Sequence, residues 1–404
     1  MVSGIGMGKV INFGCRLNAC ESEIIERFAE ELGIIDYTII NTCAVTAEAE
    51  RQLRQEIRKL HKQNPDIQLV LTGCAAELNP DFYLSMDGVA GVISNKTKLS
   101  KAEYLKYGSS RKSMLNSKNN KVRGFLQIQN GCDHECTYCV VRLTRGPSVS
   151  FDKDDIVFQA KESLNQGHKE LVLTGVNISS YGQDLSPKTN LSFIIRYLLK
   201  NIPELKRLRL SSLDPADIDD ELINLITSEE RLMPHIHESI QSGDDMILKR
   251  MRRRHNREQI IDINSKILEK RPEIIFGADI ITGFPTESDE MFENTRKLLT
   301  EGNLTLLHVF PYSRRPGTPA ALMPQVLKKV SAARAKILRD ESVSILNKKL
   351  EDFIGKKIRV LAETSETAKT DSFLPVKSLS ELEIGQEYWI NCSKIENNTI
   401  VGEI

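Results

Sequence analysis

Short apolar runs alternate with helix-length segments along most of this chain, and each of the first three runs is followed at once by a cysteine. That pattern restricts the fold more than any other feature, because strands separated by helices build a parallel sheet. The runs "KVINFG" (Lys9–Gly14), "YTIINT" (Tyr37–Thr42) and "IQLVLTG" (Ile67–Gly73) read as strands. The segments "ACESEIIERFAEEL" (Ala19–Leu32) and "AEAERQLRQEIRKLHK" (Ala47–Lys62) read as helices between them. Cys15, Cys43 and Cys74 each stand just past a strand's C-terminal end. In a parallel sheet those ends share one edge, where ligands usually sit, so three thiols distant in sequence converge. Three buried small side chains are the plainer alternative. Cys20, inside the first helix, and Cys392, near the C-terminus, read as core residues.

From Gly124 the alternation resumes with six strand candidates: "FLQIQ", "LVLTG" from Leu171, "RLRLSS" from Arg207, "HIHESIQ" from His235, "IIFGADIITG" from Ile274 and "TLLHVF" from Thr305. Six β/α units predict a partial barrel with chemistry at the strand C-terminal ends. Val326–Gly355 reads as one long charged helix, and Lys356–Ile404 as short strands with turn signals, a small all-β barrel. The expected organisation is α/β: an N-terminal three-layer α/β domain (1–106), a linker (107–121) rich in Ser, Lys and Asn, a central partial (β/α)6 barrel (122–345) and a C-terminal small β-barrel (346–404).

Composition bounds the function. Lys and Arg total 55, as do Asp and Glu, so nucleic-acid binding has to come from local patches. Lys356–Ile404 carries six Lys/Arg against eight Asp/Glu, which does not favour a phosphate backbone. No apolar run approaches the ~18 residues of a membrane span, and the start shows no secretory pattern. Eight cysteines without such a signal argue for a reducing cytosol, where thiols bind metals or do chemistry.

The segment "NGCDHECTYCVVRLTRG" spaces Cys132, Cys136 and Cys139 as C-x3-C-x2-C. Structural zinc takes four ligands, so this set is one short. A cubane iron–sulfur cluster held by three thiolates keeps one iron open to a substrate or cofactor. Zinc at both triads in a non-catalytic tRNA-binding protein stays as the alternative of another class.

The spacing, with Tyr138 before the last cysteine, resembles the signature of radical S-adenosylmethionine enzymes. "NFGCRLN", "NTCAVTAEA" and "TGCAAE" resemble the N-terminal domain of the methylthiotransferases in that group. "ELVLTGVNISSYG", "SIQSGDD", "LKRMRRRH", "GADIITGFPTES" and "HVFPYSRRPGTPA" resemble the threonylcarbamoyladenosine tRNA methylthiotransferase subgroup, and the C-terminal barrel resembles its TRAM module. The likeness implies a cytoplasmic transferase with two [4Fe–4S] clusters and S-adenosyl-L-methionine. By that likeness Cys132, Cys136 and Cys139 hold the catalytic cluster whose open iron binds S-adenosylmethionine. One electron then yields a 5′-deoxyadenosyl radical. Cys15, Cys43 and Cys74 hold an auxiliary cluster, where one S-adenosylmethionine methylates sulfur. The implied partner is the tRNA anticodon loop, whose modified adenosine gains a methylthio group at C2, with an electron donor and a sulfur source unidentified. That C–H is not acidic, so a general base is of little use and a radical is a reasonable route. Siblings acting on isopentenyladenosine tRNA or a ribosomal-protein aspartate are the alternatives within the family.

The resemblance also places Tyr138, Gly175, Ser239, Gly243, Asp279 and Gly283 at the S-adenosylmethionine pocket. Candidate RNA contacts are Arg145, Arg250, Arg252, Arg253 and Arg315, several of them in the basic run Lys249–His255, which also reads as a solvated helix end. Arg51, Arg54, Arg58 and Lys62 share a helical face that reads mainly as solvated. His235 and His237 alternate on one strand and lack a third ligand nearby in sequence. Five positions depart from the family pattern: Arg142 and Leu143 replace a Pro–Tyr-like pair, Val149 a second arginine, Glu238 an apolar residue and Arg314 a proline.

Overall fold

The computed structural model describes residues 9–108 and 121–404. The chain divides into two compact units. The first joins the N-terminal body to Gln129–Val149 and Ser313–Thr318. The second takes the strand at Arg123, Ser150–Tyr312 and Pro319–Ile404. The sequence-based boundaries differ on two counts. The loop carrying the second thiol triad packs with the N-terminal body, and the C-terminal barrel forms one unit with the central sheets. Of the expected linker, 109–120 lie outside the described residues. Tyr107, at its start, is buried against Tyr37 with ring centroids 5.0 Å apart.

In the first unit β1 (Val10–Asn12), β2 (Tyr37–Thr42), β3 (Gln68–Gly73) and β4 (Val89–Val92) pair in parallel in that order. The period of two splits the apolar residues between faces. Ile39 and Val70 pack with Ile25 and Ala29 of helix α1 (Arg16–Glu31), and Ile40, Leu69 and Leu71 with Leu53 and Ile57 of helix α2 (Ala47–Gln63). Helices on both faces make three layers, as the alternation predicted. Helix α1 starts three residues earlier than expected because Cys15 itself takes the N-cap position. β4 was not foreseen; it has four residues, with Gly91 inside it.

In the second unit all six expected strands form. β5 (Arg123–Gln127), β6 (Glu170–Thr174) and β7 (Leu208–Leu210) make one parallel sheet. β8 (His235–Gln241), β9 (Ile275–Thr282) and β10 (Leu304–Pro311) make another, with a short strand at Ser212–Leu213 beside β8. Backbone bonds from Leu208 N to Arg231 O and from Met233 N to Leu208 O, both 2.8 Å, tie β7 to the segment entering β8. The long helix α3 (Lys328–Glu351) leads to a closed barrel of β11 (Lys357–Ala362), β12 (Thr367–Thr370), β13 (Pro375–Ser378), β14 (Glu387–Glu396) and β15 (Thr399–Glu403). Its core, with Cys392 inside, is continuous with Ile275 of β9 and Leu306 of β10. No helix among the described residues is long and apolar enough to cross a membrane.

Candidate active site

Two tight turns bring the first thiol triad together. Gly14 sits at φ +123°, and a Cβ there would lie 2.6 Å from Cys43 Cβ. Gly73, at φ +93°, would place one 2.4 Å from Thr42 O. Only glycine lets the strand ends carrying Cys15, Cys43 and Cys74 approach this closely. Asn18 fixes the same edge, donating to Phe13 O at 2.8 Å and Thr42 O at 3.0 Å. Cys20 is buried inside α1, as expected of a core residue.

The second triad belongs to the same unit. Cys139 N donates to Cys136 O at 3.1 Å, and Cys132 N to Gly146 O at 3.1 Å, which folds the loop tightly. Backbone amides point at sulfur in both sets. His134 N lies 3.4 Å from Cys132 Sγ, Val141 N 3.4 Å from Cys139 Sγ, and Val45 N 3.5 Å from Cys43 Sγ. Asn95 Nδ2 lies 3.6 Å from Cys74 Sγ and 2.9 Å from Thr144 O, so one side chain touches both thiol loops. Amide donors aimed at sulfur are the usual means of tuning an iron–sulfur cluster.

Among the described residues, the groups whose ligand atoms all lie within 4.8 Å of one another include neither triad. A tetrahedral zinc with ~2.3 Å bonds to sulfur needs its thiolates about 3.8 Å apart.

Burial governs the thiols. It pushes Cys43 up to about 11, with Cys15 and Cys74 adding repulsion and the amide of Val45 opposing. Burial likewise pushes Cys139 up to about 12, with Cys136 and Cys132 adding to it. Cys74 goes the other way: burial opposes its ionisation, yet Arg145 and Thr144 bring the thiol below its ordinary value. Ligation by a cationic core therefore has to overcome burial at Cys43 and Cys139 and finds Cys74 already favoured.

Arg145 is the centre of that field. Its Nη1 donates to Glu21 Oε1 at 2.7 Å and Asn130 Oδ1 at 3.0 Å, and its Nη2 to Asn18 Oδ1 at 2.7 Å and Glu21 Oε2 at 2.9 Å. Lys98 Nζ meets Glu21 Oε2 at 2.5 Å, and both of these side chains are buried. Two cations against one carboxylate leave one positive charge inside the unit beside Cys74. Sequence reasoning missed Glu21 and Lys98, because neither carries a motif.

This geometry corrects the RNA-contact expectation at three positions. Arg145 is held inside the fold by Glu21 and Asn18. Arg315 is buried against Glu50 at 3.1 Å. Arg253 is buried between Asp214, at 3.1 Å, and Ser239 O, at 2.8 Å. A guanidinium sealed in this way cannot reach a phosphate. Arg250 is half-buried, donating to Thr286 Oγ1 at 2.8 Å, and of the five Arg252 alone is exposed. Along α2, Arg51 and Arg54 pair with Glu48 and Glu50, which is the solvated face expected.

In the second unit Ser239, Gly243, Asp279 and Gly283 stand on or just past β8 and β9, and Gly175 directly after β6. Two of these glycines have packing reasons: a Cβ at Gly243 would lie 2.7 Å from Thr295 Cα, and at Gly283 2.4 Å from Ser331 Cβ. Asp279 lies between His237 and His308, two ring neighbours of which the sequence suggested only one. Glu238, unexpected in a strand, points away from them to Asn264 Nδ2 at 3.0 Å; burial pushes its carboxyl up to about 7.

Comparison with known proteins agrees with this architecture. Residues 126–299 match the Radical SAM superfamily, and residues 8–94 match a group described as Uncharacterized protein family UPF0004. The chain is 49% identical to the threonylcarbamoyladenosine tRNA methylthiotransferase MtaB of Rickettsia prowazekii, over 94% of this chain and 93% of that protein. It is 32% identical to the tRNA-2-methylthio-N(6)-dimethylallyladenosine synthase of Ehrlichia chaffeensis, over 82% of this chain and 83% of that protein. Among solved structures, the radical S-adenosylmethionine methyltransferase TsrM of Kitasatospora setae superposes with a TM-score of 0.53 at 15% identity, covering 76% of this chain and 67% of that one. That last likeness concerns the fold.

Proposed function

We propose a reaction for a chain that belongs to the tRNA methylthiotransferases of the radical S-adenosylmethionine superfamily: conversion of threonylcarbamoyladenosine beside the tRNA anticodon to its 2-methylthio derivative. Membership in the superfamily carries S-adenosylmethionine and a [4Fe–4S] cluster; that pair supplies the radical able to take an unactivated hydrogen. The protein's part is to hold, orient and exclude. Cys132, Cys136 and Cys139 are the ligands for this cluster, and Cys15, Cys43 and Cys74 the ligands for a second, auxiliary one. The observation that carries the reading is the placement of both triads in one compact unit, each with backbone amides aimed at sulfur.

Around the triads, the buried cation pair Arg145–Lys98 offsets the charge of ligated thiolates, and Glu21 fixes both cations in place. Tyr138, Gly175, Ser239, Gly243 and Gly283 are proposed at the S-adenosylmethionine pocket on the resemblance of their segments; Asp279 receives a different assignment below. An anticodon loop suits this chemistry, because its unpaired bases can be splayed out of the stack. A tRNA substrate fits a cytoplasmic enzyme, with the electron donor and the sulfur source unidentified. The greater identity to the threonylcarbamoyl relative favours that substrate over dimethylallyladenosine.

Nucleoside mass spectrometry of tRNA from cells with and without the gene tests the reading. Loss of 2-methylthio-threonylcarbamoyladenosine on deletion is expected. An unchanged level, or loss of the methylthio mark from isopentenyladenosine alone, would reject it.

A further inference from the structure

The inner face of the β8–β9–β10 sheet carries a polar group with no structural task of its own. Leu307 and Val309 of β10 pack into the core shared with the surrounding helices, so Leu306, His308 and Phe310 face the opposite way. On that face His237 of β8, Asp279 of β9 and His308 of β10 meet. His237 Nε2 lies 3.0 Å from Asp279 Oδ1, and His308 Nδ1 lies 3.3 Å from the same oxygen. The two imidazole centroids are 4.7 Å apart. Gly277, two residues before Asp279, makes the room: a Cβ there would lie 2.7 Å from His237 Nδ1. Below the trio the face is closed, with the His235 ring tilted against Phe373 of the C-terminal barrel, centroids 5.3 Å apart. Above it the face opens, since the His308 side chain is 57% exposed whereas that of His237 is 5%.

The chemistry of the trio is directional. Burial opposes the charge on Asp279, yet the two imidazoles hold its carboxyl far below the ordinary range, so it has no proton to give. His308 then donates through Nδ1, while His237 Nε2 stands 3.0 Å from the same oxygen as a charge neighbour. That fixes His308 Nδ1 as the inward donor and leaves Nε2 as the outward atom. When neutral, Nε2 accepts from a hydroxyl; when the ring is protonated, it donates to a carboxylate with Asp279 balancing the charge. The nearby Phe310, 39% exposed on the same face, offers a ring on which a purine can stack.

We propose that His308, oriented by Asp279 and His237, reads the threonyl group of the substrate, binding its carboxylate or hydroxyl. The proposal rests on the reading of the substrate given above and deepens it. A dimethylallyl group offers nothing to these polar atoms and would leave them unpaired, which is the strongest way a site rejects a near-isostere. Asp279 is here a positioning residue, three positions before Thr282 at the end of β9, and so about 10 Å below the strand end.

The same three side chains hold their ligand atoms within 4.8 Å of one another, a spacing a divalent cation can close. An ionised carboxylate hydrogen-bonded by His308 and flanked by His237 favours the metal-free arrangement, and the test separates the two. Full-length reconstituted protein is titrated with anticodon stem–loops differing only at the target base: threonylcarbamoyladenosine, isopentenyladenosine or adenosine. Wild type is expected to prefer the first by roughly tenfold or more. His308→Ala should bind all three alike with unchanged affinity for the adenosine loop, and His308→Gln should keep part of the preference. A His308→Ala protein that retains the full preference overturns the proposal. So does a wild-type preference that disappears on chelation by a zinc chelator and returns with zinc. Product formation on the threonylcarbamoyl loop is scored separately: wild type that ranks the loops as expected but forms no 2-methylthio product rejects the reaction and leaves the recognition standing.

Discussion

Glu238 is a residue whose protonation sets a measurable cost. Its carboxyl is fully buried, with Asn264 as its polar neighbour, and is pushed from 4.5 to about 7. Between those values the folded chain holds a proton that the unfolded chain has released, so stability falls as pH rises through that window. A gap of this size is worth about 3 kcal/mol. Glu238→Gln should therefore be more stable than wild type by up to that amount near pH 8 and nearly equal to it near pH 4.5, as read from urea midpoints. Equal pH dependence in both proteins would show that Glu238 is ionised in the fold. Arg145 carries the opposite kind of cost. Arg145→Met leaves Glu21 with Lys98 alone and strips Asn18 of its charged donor. A loss of about 3 kcal/mol in denaturant unfolding is expected, because a buried charge loses a partner. The sequence marked Arg145 as a notable residue but assigned it to RNA. Its motif neighbours were visible, whereas its partner Glu21 lies 124 positions away and is unmarked.

At the scale of elements, the turns after β1 and β3 do more than the strands themselves. Gly14→Ala and Gly73→Ala should each disrupt the edge that gathers Cys15, Cys43 and Cys74 while leaving the second triad's own loop intact. Reconstituted iron is expected to fall from about eight toward about four per chain, one cubane's worth. Retention of all the iron would mean that the edge tolerates a side chain there. The strand–helix alternation, the six central strands, the long helix and the closing barrel were all legible, since each rests on periodicity or turn chemistry within a short window. β4 was not legible, being short and interrupted by Gly91. The meeting of His237, Asp279 and His308 was invisible for a different reason: the three residues become neighbours only through the pairing of three strands.

For the molecule as a whole, sequence order and spatial grouping part company. The second thiol loop is continuous in sequence with the central barrel, yet it belongs to the unit of the first triad. The C-terminal barrel, which read as a separable module, shares its core with Ile275, Leu306 and Leu350 and sends Asp371 to Arg207 at 2.5 Å. A chain ending before Lys356 would expose those apolar residues and strip buried Arg207 of two partners, Asp371 and Glu387. We expect it to aggregate or unfold rather than to yield a folded central unit; a cooperative melt at the wild-type temperature would refute this. The account rests most heavily on two thiol triads, each gripping its own cluster. Iron and zinc content of anaerobically reconstituted protein measures that directly. About eight irons per chain are predicted for wild type, and about four when either Cys15, Cys43 and Cys74 or Cys132, Cys136 and Cys139 are replaced by alanine. Stoichiometric zinc, or iron unchanged by the loss of one triad, would contradict it.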